Sequence, residues 1–219
     1  MKRGPFNLSK IVKYLIYSDL IFYTGWGLIS PIFAIFILDS ITGGNAFVVG
    51  MAAGISLIVR SILRVPFGMY ADKSQKVSYS FMLWGLLVSS LIPLGFIFSK
   101  TAMHIYLLQG LLGAMLGLST AGWAGIFARH MDRGKESTEW GIDAVAVGLG
   151  PGIAAAIGGA VVTFFSFNFV FILVTIMGLV GTFLLTFIKK DILRSKKRKK
   201  KKRVNTPLEI RRLKKLRIP

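Results

Sequence analysis

The chain has 219 residues, 53% hydrophobic and 17% charged, with 28 lysines and arginines against 9 acids for a net charge of +19. Soluble domains carry about 25% charged residues, so this balance, with a mean hydropathy of +0.63, excludes an ordinary water-soluble globule. There is no cysteine and there are only two histidines, His104 and His130, which excludes disulfides, thiol nucleophiles and cysteine metal sites; neither a metal centre nor a cofactor is expected.

Crossing a hydrocarbon core of about 30 Å takes about 20 apolar helical residues. Six runs meet that length, at 15–38, 47–70, 77–98, 102–128, 140–164 and 169–188. They predict an all-α polytopic membrane protein with six transmembrane helices. In lipid the backbone must pair within its own segment, and the runs lack the alternation of barrel strands. The first run is too long for a signal-peptide core, and five more follow it.

The first span carries Asp19 near its start, then Tyr23 and Trp26. The second opens with Gly50 and Gly54 at the spacing of close helix packing, and then holds Arg60 and Arg64, four residues apart on one face that Gly68 continues. A charge within a span costs some kilocalories per mole unless it faces protein or water. Arg60 is therefore expected to point into the bundle, whereas Arg64 is close enough to the span's end to snorkel or to do the same. The fourth span contains Gln109, the pair Gly113 and Gly117, and Trp123. Glu139 and Asp143 share a face at the start of the fifth, with Glu139 read as an interfacial cap or ion pair. Gly148, Gly150, Pro151, Gly158 and Gly159 then mark a pliable, bent, closely packed segment.

The loops set the orientation. Lysines and arginines concentrate in the amino-terminal segment, the second and fourth loops and the tail, leaving Lys100 alone on the other side. By the positive-inside rule both termini face the cytoplasm. Residues 1–188 form the transmembrane bundle and 189–219 a cytoplasmic polybasic tail, which holds 16 of the 28 basic residues. The tail has eight consecutive basic residues from Lys196 to Arg203, suited to anionic headgroups. Thr206, Pro207 and Glu209 then read as the start of a short amphipathic helix. Nucleic acid is not an expected partner. Neither a phosphate loop nor a hydrolase triad is present, so the chain does not read as an enzyme.

The loop Gly68-Met69-Tyr70-Ala71-Asp72-Lys73-Ser74-Gln75-Lys76 resembles the signature that major facilitator superfamily transporters carry between their second and third helices. Gly68, Ala71, Asp72, Lys73 and Lys76 match, and Gln75 stands where glycine is usual. Six spans followed by a basic cytoplasmic segment are similar to the amino-terminal half of such a transporter, a 3+3 inverted-repeat bundle, with its linker. The resemblance implies that Gly68, Ala71, Asp72, Lys73 and Lys76 form a cytoplasmic gate element, normally braced against a second bundle that would leave Asp72 without its usual setting here. It also implies that Arg60, Gln109, Asp143, Asp19, Tyr23, Trp26 and Trp123 face a central cavity for a small solute or ion. Gln109 stands where proton-coupled members often have arginine.

The expected function is transport of a small solute by alternating access in the cell membrane, after pairing with a second copy or a separate six-helix half. The rival reading is a non-transporting membrane interaction protein or truncated transporter, whose basic tail binds lipid or a partner. Membrane lipids are partners under both readings, and the substrate is not legible.

Overall fold

The computed structural model describes residues 8–193, so the basic run and the cap motif of the tail lie outside the described residues. Every regular element in that range is helical: α1 (Lys10–Ile29), α2 (Phe33–Ser40), α3 (Ala46–Ala71), α4 (Gln75–Ile97), α5 (Ala102–His130), α6 (Glu136–Phe164) and α7 (Phe167–Thr186). Five of these, α3 to α7, are long and apolar enough to cross a membrane. The first apolar run is divided between α1 and α2, which meet at 41°. Pro31 explains the break, because it supplies no N–H and its ring crowds the carbonyl four residues earlier.

Four starts are fixed by side-chain caps. Ser9, Asn45, Ser74 and Ser166 accept from the backbone N–H groups of Val12, Val48, Val77 and Phe169 at 3.3, 3.0, 3.2 and 3.4 Å. Each relieves one of the unpaired donors of a first turn. Pro66, Pro93 and Pro151 lie inside α3, α4 and α6, and all three helices run through them.

In lipid, helices gain little from hiding apolar side chains, so van der Waals contact between closely approaching backbones holds them together. The packing follows that rule: α1 packs on α6 and α7, α5 on α3 and α4, and α4 meets α7. A glycine lies at each of these crossings. A Cβ on Gly27 would come within 2.5 Å of Pro151 O, one on Gly158 within 2.6 Å of Leu28 O, and one on Gly85 within 2.6 Å of Ser119 N. Gly113 abuts the Ser56 carbonyl, Gly178 would meet Ser90, and Gly181 would stand 3.0 Å from Ser18 O.

Two apolar clusters fill opposite ends of the bundle. At the end where α2 turns into α3, Phe36, Phe96 and Phe171 meet with ring centroids 4.9 and 5.7 Å apart. At the other end, Leu15, Phe22, Met82, Phe127 and Leu185 pack with Ile188 and Ile192, which are fully buried. The chain is helical again over residues 189–193, where an exposed pair of Lys10 and Asp191 at 2.9 Å ties the start of α1 to the segment after α7.

Candidate functional site

Between the two clusters the charged side chains of the spans converge. Asp19 and Tyr23 of α1 and Asp143 and Val147 of α6 line a cavity of about 150 Å³. Leu86 of α4, Leu116, Ser119, Thr120 and Trp123 of α5, and Arg64 of α3 complete its wall. At a rise of about 1.5 Å per residue, Asp19 lies about 13 Å along α1 and Asp143 about 10 Å along α6 from their first residues. Both carboxyls are thus well inside the helices.

The close crossings set this geometry. A Cβ on Gly150 would run into Thr24 and Leu20, so α6 approaches α1 near the level of the acids. Gly117 would place a Cβ 3.1 Å from the Arg60 carbonyl, and with Gly113 it brings α3 onto α5 beside the cavity. Asp19 and Asp143 are 8% and 7% exposed, and their carboxyl groups are in hydrogen-bonding contact with each other. Asp143 Oδ1 is buried with no protein donor on it. The Trp123 indole lies beside Asp19, although its N–H makes no hydrogen bond of ordinary geometry. The half-buried Arg60 guanidinium reaches the Tyr23 hydroxyl. Among the described residues neither Arg60 nor Arg64 forms an ion pair with a carboxylate. Two carboxyl groups and the Arg64 guanidinium therefore border one polar space without a direct ion pair among them, an arrangement able to hold a charged ligand.

Of the seven residues expected at a cavity, Asp19, Tyr23, Trp123 and Asp143 line it, and Arg60 stands behind Tyr23. Trp26 packs between the two apolar clusters, 6.4 Å from the Phe22 ring, and is not part of the lining. Gln109 is buried on α5 seven residues before Leu116, also away from the lining. Arg64, Ser119 and Thr120 are additional polar lining groups. Glu139 is fully buried and accepts the Asp132 N–H at 3.3 Å, holding the loop between α5 and α6.

The glycines of α6 divide into two sets. Gly150 and Gly158 pack on α1 with Pro151 between them, whereas Gly148 and Gly159 have open space where a Cβ would be. Gly50, Gly54 and Gly68 of α3 are likewise open.

The loop after α3 has a partner within the bundle. Arg129, at the end of α5, donates through Nη2 to Asp72 Oδ1 at 3.1 Å and through Nη1 to Ser78 Oγ at 3.0 Å. Ser78 Oγ in turn donates to the Ala71 carbonyl at 2.7 Å. Lys73 lies 3.8 Å above the Tyr70 ring, and Lys76 is exposed. The setting that Asp72 was expected to lack is thus supplied in part by Arg129.

Among known proteins, the family model described as Major Facilitator Superfamily matches residues 16–219. No curated protein matches the chain. A solved structure of the POT family transporter PepTSo matches with a TM-score of 0.67 and 13% sequence identity, over 83% of this chain and 37% of that one. The chain therefore spans well under half the length of that transporter, and at this identity the likeness establishes the fold. With the family match over nearly its whole length, the chain belongs to the major facilitator superfamily.

Proposed function

We propose that this chain carries a small solute across the membrane by alternating access, in partnership with a second six-helix bundle, and that it is not an enzyme. The observation that carries the reading is the cavity itself. Asp19, Asp143, Arg64 and, behind Tyr23, Arg60 meet inside helices that must lie in lipid, where charge persists only when it faces protein or water. A membrane anchor for a basic tail needs no such cavity, which favours transport over the tail-recruiting alternative.

The six-span, 3+3 arrangement is supported by the packing. Counting α1 and α2 as one span, exchange of the first three spans with the last three pairs α1 with α5, α3 with α6 and α4 with α7. The set of packed neighbours then maps onto itself: α1 on α6 and α7 becomes α5 on α3 and α4, and α4 on α7 is its own image. An inverted repeat has that property. The partner bundle is supported by α3 and α6, which pack chiefly on one neighbour each and leave open glycines on other faces. The positive-inside count supports both termini in the cytoplasm and the loop from Gly68 to Lys76 on the cytoplasmic side, where the loop would act as a gate element; residence in the cell membrane is part of the same proposal.

The test is uptake by membrane vesicles containing the protein, offered a panel of labelled anionic, cationic and zwitterionic metabolites. At least one compound should accumulate above empty vesicles, and Arg60→Ala and Asp143→Ala should each cut its uptake about tenfold or more, the equivalent of about 1.4 kcal/mol. Uptake equal to wild type in both variants would sink the cavity assignment.

A further inference from the structure

We infer that Asp19 and Asp143 hold one proton between them, and that this shared proton fastens α6 to α1 at the wall of the cavity. The inference deepens the proposed transport site and rests on that reading for any link to solute movement, but the proton itself is argued from chemistry. An ionised carboxylate only accepts hydrogen bonds. Two carboxyl groups in hydrogen-bonding contact, as Asp19 and Asp143 are, need a proton on one of them to serve as donor. Without it, two negative charges would face each other at 8% and 7% exposure, an arrangement that like-charge repulsion and desolvation both oppose.

Other groups face the pair as well, the nearest being the Trp123 indole beside Asp19. Asp143 Oδ1 is buried and lacks any donor from the protein, so an O–H from its partner acid supplies what is missing. From α1, Tyr23 also faces the site, and its hydroxyl oxygen accepts from Arg60 of α3. Arg64 of α3 lines the same cavity without pairing to either acid. The α5 wall presents Ser119, Thr120 and Trp123, none of which carries charge. Ser119 Oγ donates to Met82 O at 3.2 Å and Thr120 Oγ1 to Leu116 O at 2.7 Å, so their protons are already used. On α6, Glu139 lies one turn before Asp143 and binds the loop backbone at Asp132. The acids belong to two helices already brought close where Gly150 meets Leu20 and Thr24. Loss of the proton would set two charges against each other at that crossing, so binding and release are tied to how closely α6 lies on α1.

The test is infrared spectroscopy of the purified full chain in lipid nanodiscs at neutral pH, with no solute added. A protonated-carboxyl carbonyl band is expected in the wild type, and it should move when the protein is grown on aspartate labelled with ¹³C at the side-chain carboxyl. The band should vanish in Asp19→Asn and in Asp143→Asn, because the introduced amide donates to the remaining carboxylate and makes the proton unnecessary. Glu139→Gln should keep it. The proposal is overturned if the wild type has no label-sensitive band, if either asparagine variant keeps it, or if it appears only after sodium is withdrawn, which would assign the pair to a metal cation. Should an asparagine variant fail to fold, the wild-type isotope shift decides alone, because the other aspartates, Asp39, Asp72, Asp132 and Asp191, retain contact with water, whereas Asp19 and Asp143 are buried. Solute uptake is not part of the readout, so failure of this inference and failure of the transport reading are separable.

Discussion

Asp72 and Arg129 show how little a surface ion pair need contribute by itself. The Asp72 side chain is 77% exposed, and exposed pairs are worth about 0.2–1 kcal/mol. Arg129 does more than pair with it, because its second nitrogen holds Ser78, a fully buried hydroxyl that also binds the Ala71 carbonyl. Arg129→Ala should therefore destabilise the detergent-solubilised protein more than Asp72→Asn, by about 1 kcal/mol. A double-mutant cycle read by chemical denaturation should give a coupling of no more than about 1 kcal/mol between the two residues. A coupling of several kilocalories per mole would reveal that the pair is covered. Arg129 was not legible in the sequence as a partner, since it is one of several basic residues around that loop. Asp19, Tyr23, Trp123 and Asp143 were legible, because charges and large amphipathic rings inside apolar runs are costly enough to need a reason. Ser119 and Thr120 were hidden by their chemistry: a hydroxyl that satisfies itself on a helical carbonyl leaves no mark in composition.

Each apolar run became a helix within a few residues of its expected limits, because length and hydropathy alone specify a span. The exception is the first, where the break at Pro31 separates α1 from α2. What the sequence did not disclose was which glycines meet a neighbour, since every glycine looks alike until helices are placed. On α6, Gly141, Gly148, Gly152 and Gly159 recur at intervals of seven, four and seven residues, which keeps them on one face, and all four have open space beside them. Gly150 and Gly158 instead abut α1. The two sets predict opposite results. Gly158→Leu drives a side chain into the Leu28 backbone and should cost about 1–3 kcal/mol or more, seen as a lower melting temperature and loss of folded protein. Gly148→Leu and Gly152→Leu meet nothing within the bundle and should leave the melting temperature of the dissociated single chain nearly unchanged. Equal losses in the two sets would mean that the open face is not open in the folded chain.

At the scale of the whole molecule, that open face argues for assembly. Glycines facing lipid expose backbone and forgo side-chain contact, whereas glycines facing another helix permit the close approach that holds membrane helices together. The open glycines of α3, Gly50, Gly54 and Gly68, are likewise spaced along one side of their helix, so the two peripheral helices both present surfaces suited to a further bundle. The cavity walled by Asp19, Asp143 and Arg64 draws on α1, α3, α4, α5 and α6, and alternating access requires a second body against which such a bundle can rock. The complex extracted from native membrane in mild detergent should accordingly have a protein mass of at least two six-helix bundles, with mass spectrometry finding either one chain species in two copies or this chain with another of similar topology. Gly148→Leu combined with Gly152→Leu should shift that complex to the 24.1 kDa single chain while sparing its helical content, and uptake should fall with the assembled fraction. If the wild-type chain purifies as a monomer, and transport by that monomer survives the double substitution, then α6 faces lipid and its glycine face has no role in assembly.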